Sequence, residues 1–243
     1  MVVSRSFVDV PVDGREMRTF VAAPRAAGPH PGLVFYSDIF QLTESTLRWC
    51  VRLAGYGFVV AAPEIYHRLE PAGTVLAFDD EGKARGQADA DATLVADFDA
   101  DIRAAIDYLA TSDAVSGIGA AGHCTGGHLA FRAAMQPEVR ATACWYATGL
   151  HDGKLGKDPD AGSLARAGEI GGELLMIFGT RDPHTPADGR AVIHRGLEAA
   201  GASFTWSEYD AEHAFGRDVG DRYDPEATDA ALAETVALFR RAL

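Results

Sequence analysis

Three residues of the chain have the chemistry of a nucleophilic hydrolase, and each follows a strand-like run. Cys124 stands in Gly122-His123-Cys124-Thr125-Gly126-Gly127, Asp182 in Gly179-Thr180-Arg181-Asp182-Pro183, and His213 in Asp210-Ala211-Glu212-His213. A nucleophile on a sharp strand-to-helix turn needs small neighbours, because a larger side chain there would strike the adjoining strand or helix. Gly122 and Gly126 occupy those two positions. The tip side chain then lies at the start of a helix, where unpaired N–H groups and the helix dipole favour a thiolate. In this reading Cys124 attacks a carbonyl carbon, His213 takes the thiol proton and later activates water, and Asp182 orients the imidazole. The order nucleophile, acid, histidine is that of α/β-hydrolase triads. Asp188 competes with Asp182, and His184, His194, His123 and His128 compete with His213. Only Asp182 directly follows its strand and turn, and only His213 lies in a short loop after the last strand. An oxyanion hole should use the N–H of Thr125 and a second N–H from the loop after an earlier apolar strand, with Ile39 the candidate.

Positioning these groups requires an α/β fold. Ser4 to Val10 and Arg18 to Ala22 read as an opening β-hairpin around Val12-Asp13-Gly14-Arg15. Leu33-Val34-Phe35-Tyr36, Phe58 to Ala62, Ser116 to Gly119, Ala141 to Tyr146, Glu173 to Gly179 and Phe204 to Tyr209 read as strands, several of them apolar throughout, as in a sheet covered on both faces. Helices are expected from the Thr43 cap to Leu53, over Ala90 to Leu109, over Leu129 to Met135, over Ala187 to Ala200 and from Pro225 onward. Pro63 to Gly86 is expected to be a long functional connection and Gly149 to Gly172 an irregular stretch. The acidic run Asp89, Asp91, Asp97, Asp99 and Asp101 reads as a solvated helix face. Strands alternating with helices predict one domain over residues 1–243: a mostly parallel central sheet with helices on both faces and an N-terminal β-hairpin.

Composition narrows the function. The formal net charge of -13 argues against nucleic acid and anionic membrane surfaces. No run of about 18 apolar residues is present, so no membrane span is expected. The three cysteines, Cys50, Cys124 and Cys144, are odd in number and widely spaced, which suggests neither a disulfide framework nor a zinc ribbon. The N-terminal residues lack the apolar core of a signal peptide, so a reducing cytoplasm is the expected location. No metal and no cofactor is expected, and the expected partner is a small-molecule ester or lactone, with the chain a monomer or a homodimer.

With the cysteine elbow, Gly179-Thr180-Arg181-Asp182, Glu212-His213-Ala214-Phe215 and Ser37-Asp38-Ile39-Phe40 together, the chain resembles the dienelactone hydrolase (carboxymethylenebutenolidase) family of α/β-hydrolases from about residue 30 to the last helix. The resemblance implies that Arg217, four positions past the histidine, binds a substrate carboxylate. It implies a second such arginine from the long loop, for which Arg85 is similar in setting. A guanidinium pair suits a carboxylate through bidentate hydrogen bonds. It also implies a thiol-tuning carboxylate at position 38, where the family usually has Glu and this chain has Asp38. His123 stands where the family often has Tyr, and Trp145 and Tyr146 are candidate pocket-lining residues. A thiolate leaves more easily than an alkoxide, so its adduct with an alkyl ester tends to collapse backwards, and activated esters and strained lactones are the favoured substrates. The alternatives are a general carboxylesterase or thioesterase, a thiol redox sensor or ligand-binding protein, and a zinc protein using Cys124, His123 and His128.

Overall fold

The computed structural model describes residues 1–243, and its chain lays eight strands into one sheet. Strands β1 (Val3–Val12) and β2 (Arg15–Pro24) form the expected hairpin, turning at Asp13 and Gly14, both with positive φ. Strands β3 (His30–Tyr36), β4 (Val59–Pro63), β5 (Val115–His123), β6 (Val139–Trp145), β7 (Glu173–Gly179) and β8 (Ser203–Tyr209) run parallel in the order β4-β3-β5-β6-β7-β8, and the hairpin joins antiparallel through β2 to β4. Six helices accompany them: α1 (Glu44–Gly55), α2 (Asp80–Ala92), α3 (Val95–Ala110), α4 (Thr125–Ala133) and α5 (Ala187–Ala200) between strands, and α6 (Pro225–Ala242) after the last. No helix is long and apolar enough to cross a membrane.

The alternation of side chains along each strand divides the core in two. Val34 and Tyr36 of β3 pack with Phe98 and Ile102 of α3, Leu129 and Phe131 of α4, and Ile193 and Leu197 of α5. Leu33 and Phe35 point the other way, to Trp49 and Leu53 of α1 and Leu232, Val236 and Phe239 of α6. Central strands buried on both faces must be apolar throughout, which is why β4 reads Val-Val-Ala-Ala-Pro. The active loops then gather where parallel strands end, at the carboxyl edge.

Two expectations fail between β4 and β5. The long connection ends at Asp79, which caps α2 by accepting the Gly82 N–H (2.8 Å), and the single helix over Ala90 to Leu109 is two helices broken at Thr93-Leu94. The break is held both from within the helix and by a distant loop. The Thr93 hydroxyl bonds back to the Asp89 carbonyl (2.8 Å), the Thr93 carbonyl accepts from Lys157 N (2.8 Å), and Asp158 accepts the first free N–H of α3, that of Val95 (2.8 Å). Helix α2 escapes a periodicity search because its buried face is Gly82, Gly86 and Ala90 rather than an apolar stripe. A Cβ on Gly86 would come within 2.4 Å of the Ile39 carbonyl oxygen, so this helix is built to approach the Ile39 loop closely.

The acidic run is only partly a solvated face. Asp101 is buried against Arg68 (2.6 Å) and His67 (3.1 Å), and Asp99 forks onto the buried Arg132 at 2.6 and 2.7 Å. The run spans two helices, so its members cannot share one face. The stretch from Gly149 to Gly172 is irregular as expected, apart from a short 3-10 helix at Leu164–Glu169.

Candidate active site

The elbow begins with its glycines. A Cβ on Gly122 would lie 2.1 Å from the Gly126 carbonyl oxygen, and one on Gly126 would lie 2.2 and 2.3 Å from the carbonyl oxygens of Tyr36 and Ser37. Only glycine fits either position. Between them Cys124 is held at φ 58 and ψ -122 as the cap of α4, its N–H donating to the Trp145 carbonyl (3.0 Å). A non-glycine residue there costs about 1–3 kcal/mol, a strain typical of functional sites. Besides Asp13 of the hairpin turn, the positive-φ residues other than glycine are Gln41, Cys124, Tyr146 and Ala214, all in the loops that surround this thiol. Cys124 is partly exposed, whereas Cys50 and Cys144 are fully buried and their thiols are pushed up by desolvation.

The loops after β7 and β8 supply the other two groups. His213 Nδ1 donates to Asp182 Oδ2 at 2.7 Å, and Asp182 Oδ1 accepts the His184 N–H at 2.7 Å. Burial opposes the Asp182 charge, but the bond and charge of His213 and the His184 N–H together outweigh it and hold the carboxyl below its usual range. Burial would likewise lower His213. The charge of Cys124, and hydrogen bonding to Asp182 and Cys124, overcome it and raise the imidazole to about 9. His213 thus bonds Asp182 on one side and lies within electrostatic reach of Cys124.

Cys124 and His213 open into a cavity of about 1120 Å³, also lined by Asp38, Ile39, Thr125 and Arg217. Thr125 contributes the first N–H of α4. In the loop after β3, Asp38 Oδ1 accepts the Phe40 N–H (3.0 Å) and the Asp38 carbonyl accepts the Gln41 N–H (3.1 Å), while the Ile39 N–H between them has no partner within the protein. Burial pushes the Asp38 carboxyl up, against the pull of Arg217, whose Nη1 lies 3.7 Å from Asp38 Oδ2.

Other sequence candidates lie elsewhere. Arg85 points out of the cavity and forks onto Glu70, at 2.6 Å through its Nε. It follows Lys83 by two positions on α2, and that places Lys83, not Arg85, on the cavity side. Trp145 and Tyr146 do not line the cavity. They are buried beneath it, with Trp145 Nε1 donating to Thr235 (3.1 Å) and the Tyr146 ring packing 5.2 Å from His213. His123 is enclosed by Phe35, Trp49, Trp145 and Tyr146, and desolvation lowers it to about 3. His128, also lowered to about 3 by burial, donates from Nδ1 to the Thr148 carbonyl (2.8 Å) and accepts at Nε2 from Ser163 (2.7 Å). The two histidines serve different surroundings, and no three His, Cys, Asp or Glu side chains group as metal ligands. Asp188 lies in the first turn of α5 and His194 packs against Phe204 and Trp206, away from the thiol.

The cavity also takes in Phe78, His184 and Arg222, which sequence reasoning did not assign. His184 packs edge-on to His213, with centroids 4.5 Å apart, and its place two residues past Asp182 was the available signal. Phe78 gave no signal beyond being aromatic in a polar connection.

The family model described as the dienelactone hydrolase family matches residues 17–243. A Saccharomyces cerevisiae protein provisionally named carboxymethylenebutenolidase is 34% identical over 256 residues, covering 100% of this chain and 93% of its own. The carboxymethylenebutenolidase of Pseudomonas sp. strain P51 is 28% identical over 218 residues, covering 89% and 87%. A crystal structure of a provisionally named dienelactone hydrolase from Klebsiella pneumoniae superposes with a TM-score of 0.80 at 24% identity, over 99% of this chain and 100% of that one. That superposition shares the α/β-hydrolase architecture described above.

Proposed function

The chain belongs to the dienelactone hydrolase family and is a hydrolase of ester bonds, and from that premise we propose that it opens a small lactone or activated ester through Cys124, His213 and Asp182. The observation that carries this reading is the placement of His213, bonded through Nδ1 to Asp182 at 2.7 Å and sharing one cavity with the partly exposed thiol at the elbow. An imidazole so placed can take the thiol proton as Cys124 attacks.

The thiolate attacks the carbonyl carbon, and the oxygen that gains charge is received by the N–H groups of Ile39 and Thr125. The C–O bond to the leaving group breaks, and the His213 imidazolium gives that oxygen its proton. A thioester on Cys124 remains. Neutral His213 then takes a proton from water, the hydroxide adds to the thioester carbonyl, and the thiolate departs to leave a carboxylic acid. Arg217 supports a carboxylate on the substrate, as its guanidinium lines the cavity with Cys124. The substrates that suit a thiolate are enol esters, aryl esters and strained lactones, whose leaving groups depart more readily than alkoxides.

The test is turnover of a panel of lactones and aryl esters, with and without a carboxylate, by wild type and Cys124→Ala. Turnover by wild type, a Cys124 thioester detected by mass spectrometry, and none in the variant are expected. Turnover unchanged in Cys124→Ala would overturn the mechanism.

A further inference from the structure

Phe78 lies on the connection between β4 and α2, 40% exposed, and lines the cavity with Cys124 and Arg217. The Arg217 guanidinium lies over its ring, 4.4 Å from the centroid, and 5.4 Å from that of Phe40. The two phenylalanines pack edge to face at 4.7 Å and 67°. Arg217 is therefore held in an aromatic corner. Its one acidic neighbour, Asp38, is at 3.7 Å, longer than a hydrogen bond, and its buried Nε has no partner. A guanidinium with unmet donors beside a nucleophile is a waiting anion site, and its orientation is set by what it rests on.

The connection itself is anchored. Glu64 accepts the Gly73 N–H at 3.0 and 3.1 Å, Gln41 Nε2 donates to the Thr74 carbonyl (3.0 Å), and the Leu76 N–H donates to the Phe40 carbonyl (3.2 Å). Leu76 is buried with Ile39 and Phe40 in a small cluster separate from the main core. Phe78 thus sits on Arg217 because a pinned surface loop presents it there, which is where specificity residues are carried.

We infer that Phe78 is a positioning residue that orients Arg217 for an anionic substrate, so that the loop between β4 and α2 sets the preference of the site for carboxylate-bearing esters. This rests on the reading of Arg217 as a carboxylate binder. The aromatic face stabilises the cation where its free donors meet the cavity, and an aliphatic side chain of similar bulk would fill the space without holding the plane of the guanidinium.

The test compares wild type, Phe78→Leu and Phe78→Tyr on two esters with one leaving group, neutral 4-nitrophenyl acetate and mono-4-nitrophenyl succinate, together with calorimetric binding of benzoate. In Phe78→Leu the ratio of kcat/KM for the charged over the neutral ester should fall roughly fivefold, through KM, and benzoate should bind roughly fivefold more weakly. Phe78→Tyr should restore both. An unchanged ratio and unchanged benzoate affinity in Phe78→Leu, or failure of Phe78→Tyr to restore them, would overturn the proposal. Benzoate binding needs no turnover, so it decides the role of Phe78 even if wild type cleaves neither ester, a result that would count against the hydrolytic mechanism alone.

Discussion

Arg217 and Asp38 face one another across the mouth of the nucleophile, Nη1 to Oδ2 at 3.7 Å, with neither side chain more than a fifth exposed. The pair ties the loop after β3, which carries Ile39, to the loop after His213. It also makes each residue's loss a two-sided event, since removing one partner strands the other's charge. Arg217→Ala should therefore do two things. The KM for a carboxylate-bearing ester should rise roughly tenfold to a hundredfold, the loss of one charge-assisted hydrogen bond. Stability should fall by about 1–3 kcal/mol as Asp38 loses its counter-charge. Asp38→Asn/Arg217→Ala should regain most of the stability and none of the KM. Denaturant titration beside steady-state kinetics checks both, and equal losses on a neutral aryl ester would mean that Arg217 only shapes the pocket.

Asp38 also lies within the electrostatic reach of His213. Asp38 and Cys124 line one cavity, and a carboxylate there would oppose negative charge on the sulfur. Asp38→Asn should lower the apparent pKa for alkylation of Cys124 by iodoacetamide and speed oxidation of that thiol. The measurement is the pH dependence of alkylation in both proteins. An unchanged curve would leave Asp38 as a partner of Arg217 and an acceptor for the Phe40 N–H, and no more.

The elbow was legible in the sequence because steric exclusion writes itself into residue type: Gly122 and Gly126 have carbonyl oxygens where a Cβ would be. The strands were legible for a similar reason, since burial on both faces leaves only apolar residues. What was lost lies between β4 and β5. Helix α2 buries glycines, which carry no hydrophobic period, and the break at Thr93 is made by Lys157 and Asp158, more than sixty residues away. Direction was lost too. Family setting pointed to Arg85, but a helical step of two residues turns it to Glu70 and leaves Lys83 facing the cavity. Trp145 and Tyr146 end a strand at the site, yet the strand's alternation and the turn at Tyr146 (φ 37) send both rings under the floor.

The imidazole of His213 has one hydrogen bond to Asp182 and a thiol on its other side. His213→Ala should lower kcat by about 10³ or more while keeping the fold, at a cost of about 1–3 kcal/mol in stability as buried Asp182 loses its partner, and Asp182→Asn should cost less activity than removing Cys124. Stopped kinetics on an activated aryl ester would read both. Near wild-type kcat in His213→Ala would reject it as the base and turn attention to His184, whose ring lies 4.5 Å away.

His123 offers a test through pH. Its ring sits among Phe35, Trp49, Trp145 and Tyr146 with Nε2 unpartnered, and burial lowers its pKa from 6.5 to about 3. The native imidazole is thus neutral at pH 5, while in the unfolded chain it is mostly protonated. The unfolded state binds the extra proton, so the stability this group leaves intact above pH 6.5 is lost progressively as pH falls toward 3. His123→Phe removes the titration and keeps an aromatic ring in an aromatic enclosure. The gap in Tm between pH 8 and pH 5 should narrow in the variant, with most of the change on the acid side. His128 is depressed in the same way and remains, so the acid limb should flatten without disappearing. Calorimetry at pH 5, 6.5 and 8 measures it. A variant whose Tm shifted equally at all three would show that the substitution acts through packing alone, with about 1–3 kcal/mol of overpacking as the expected scale.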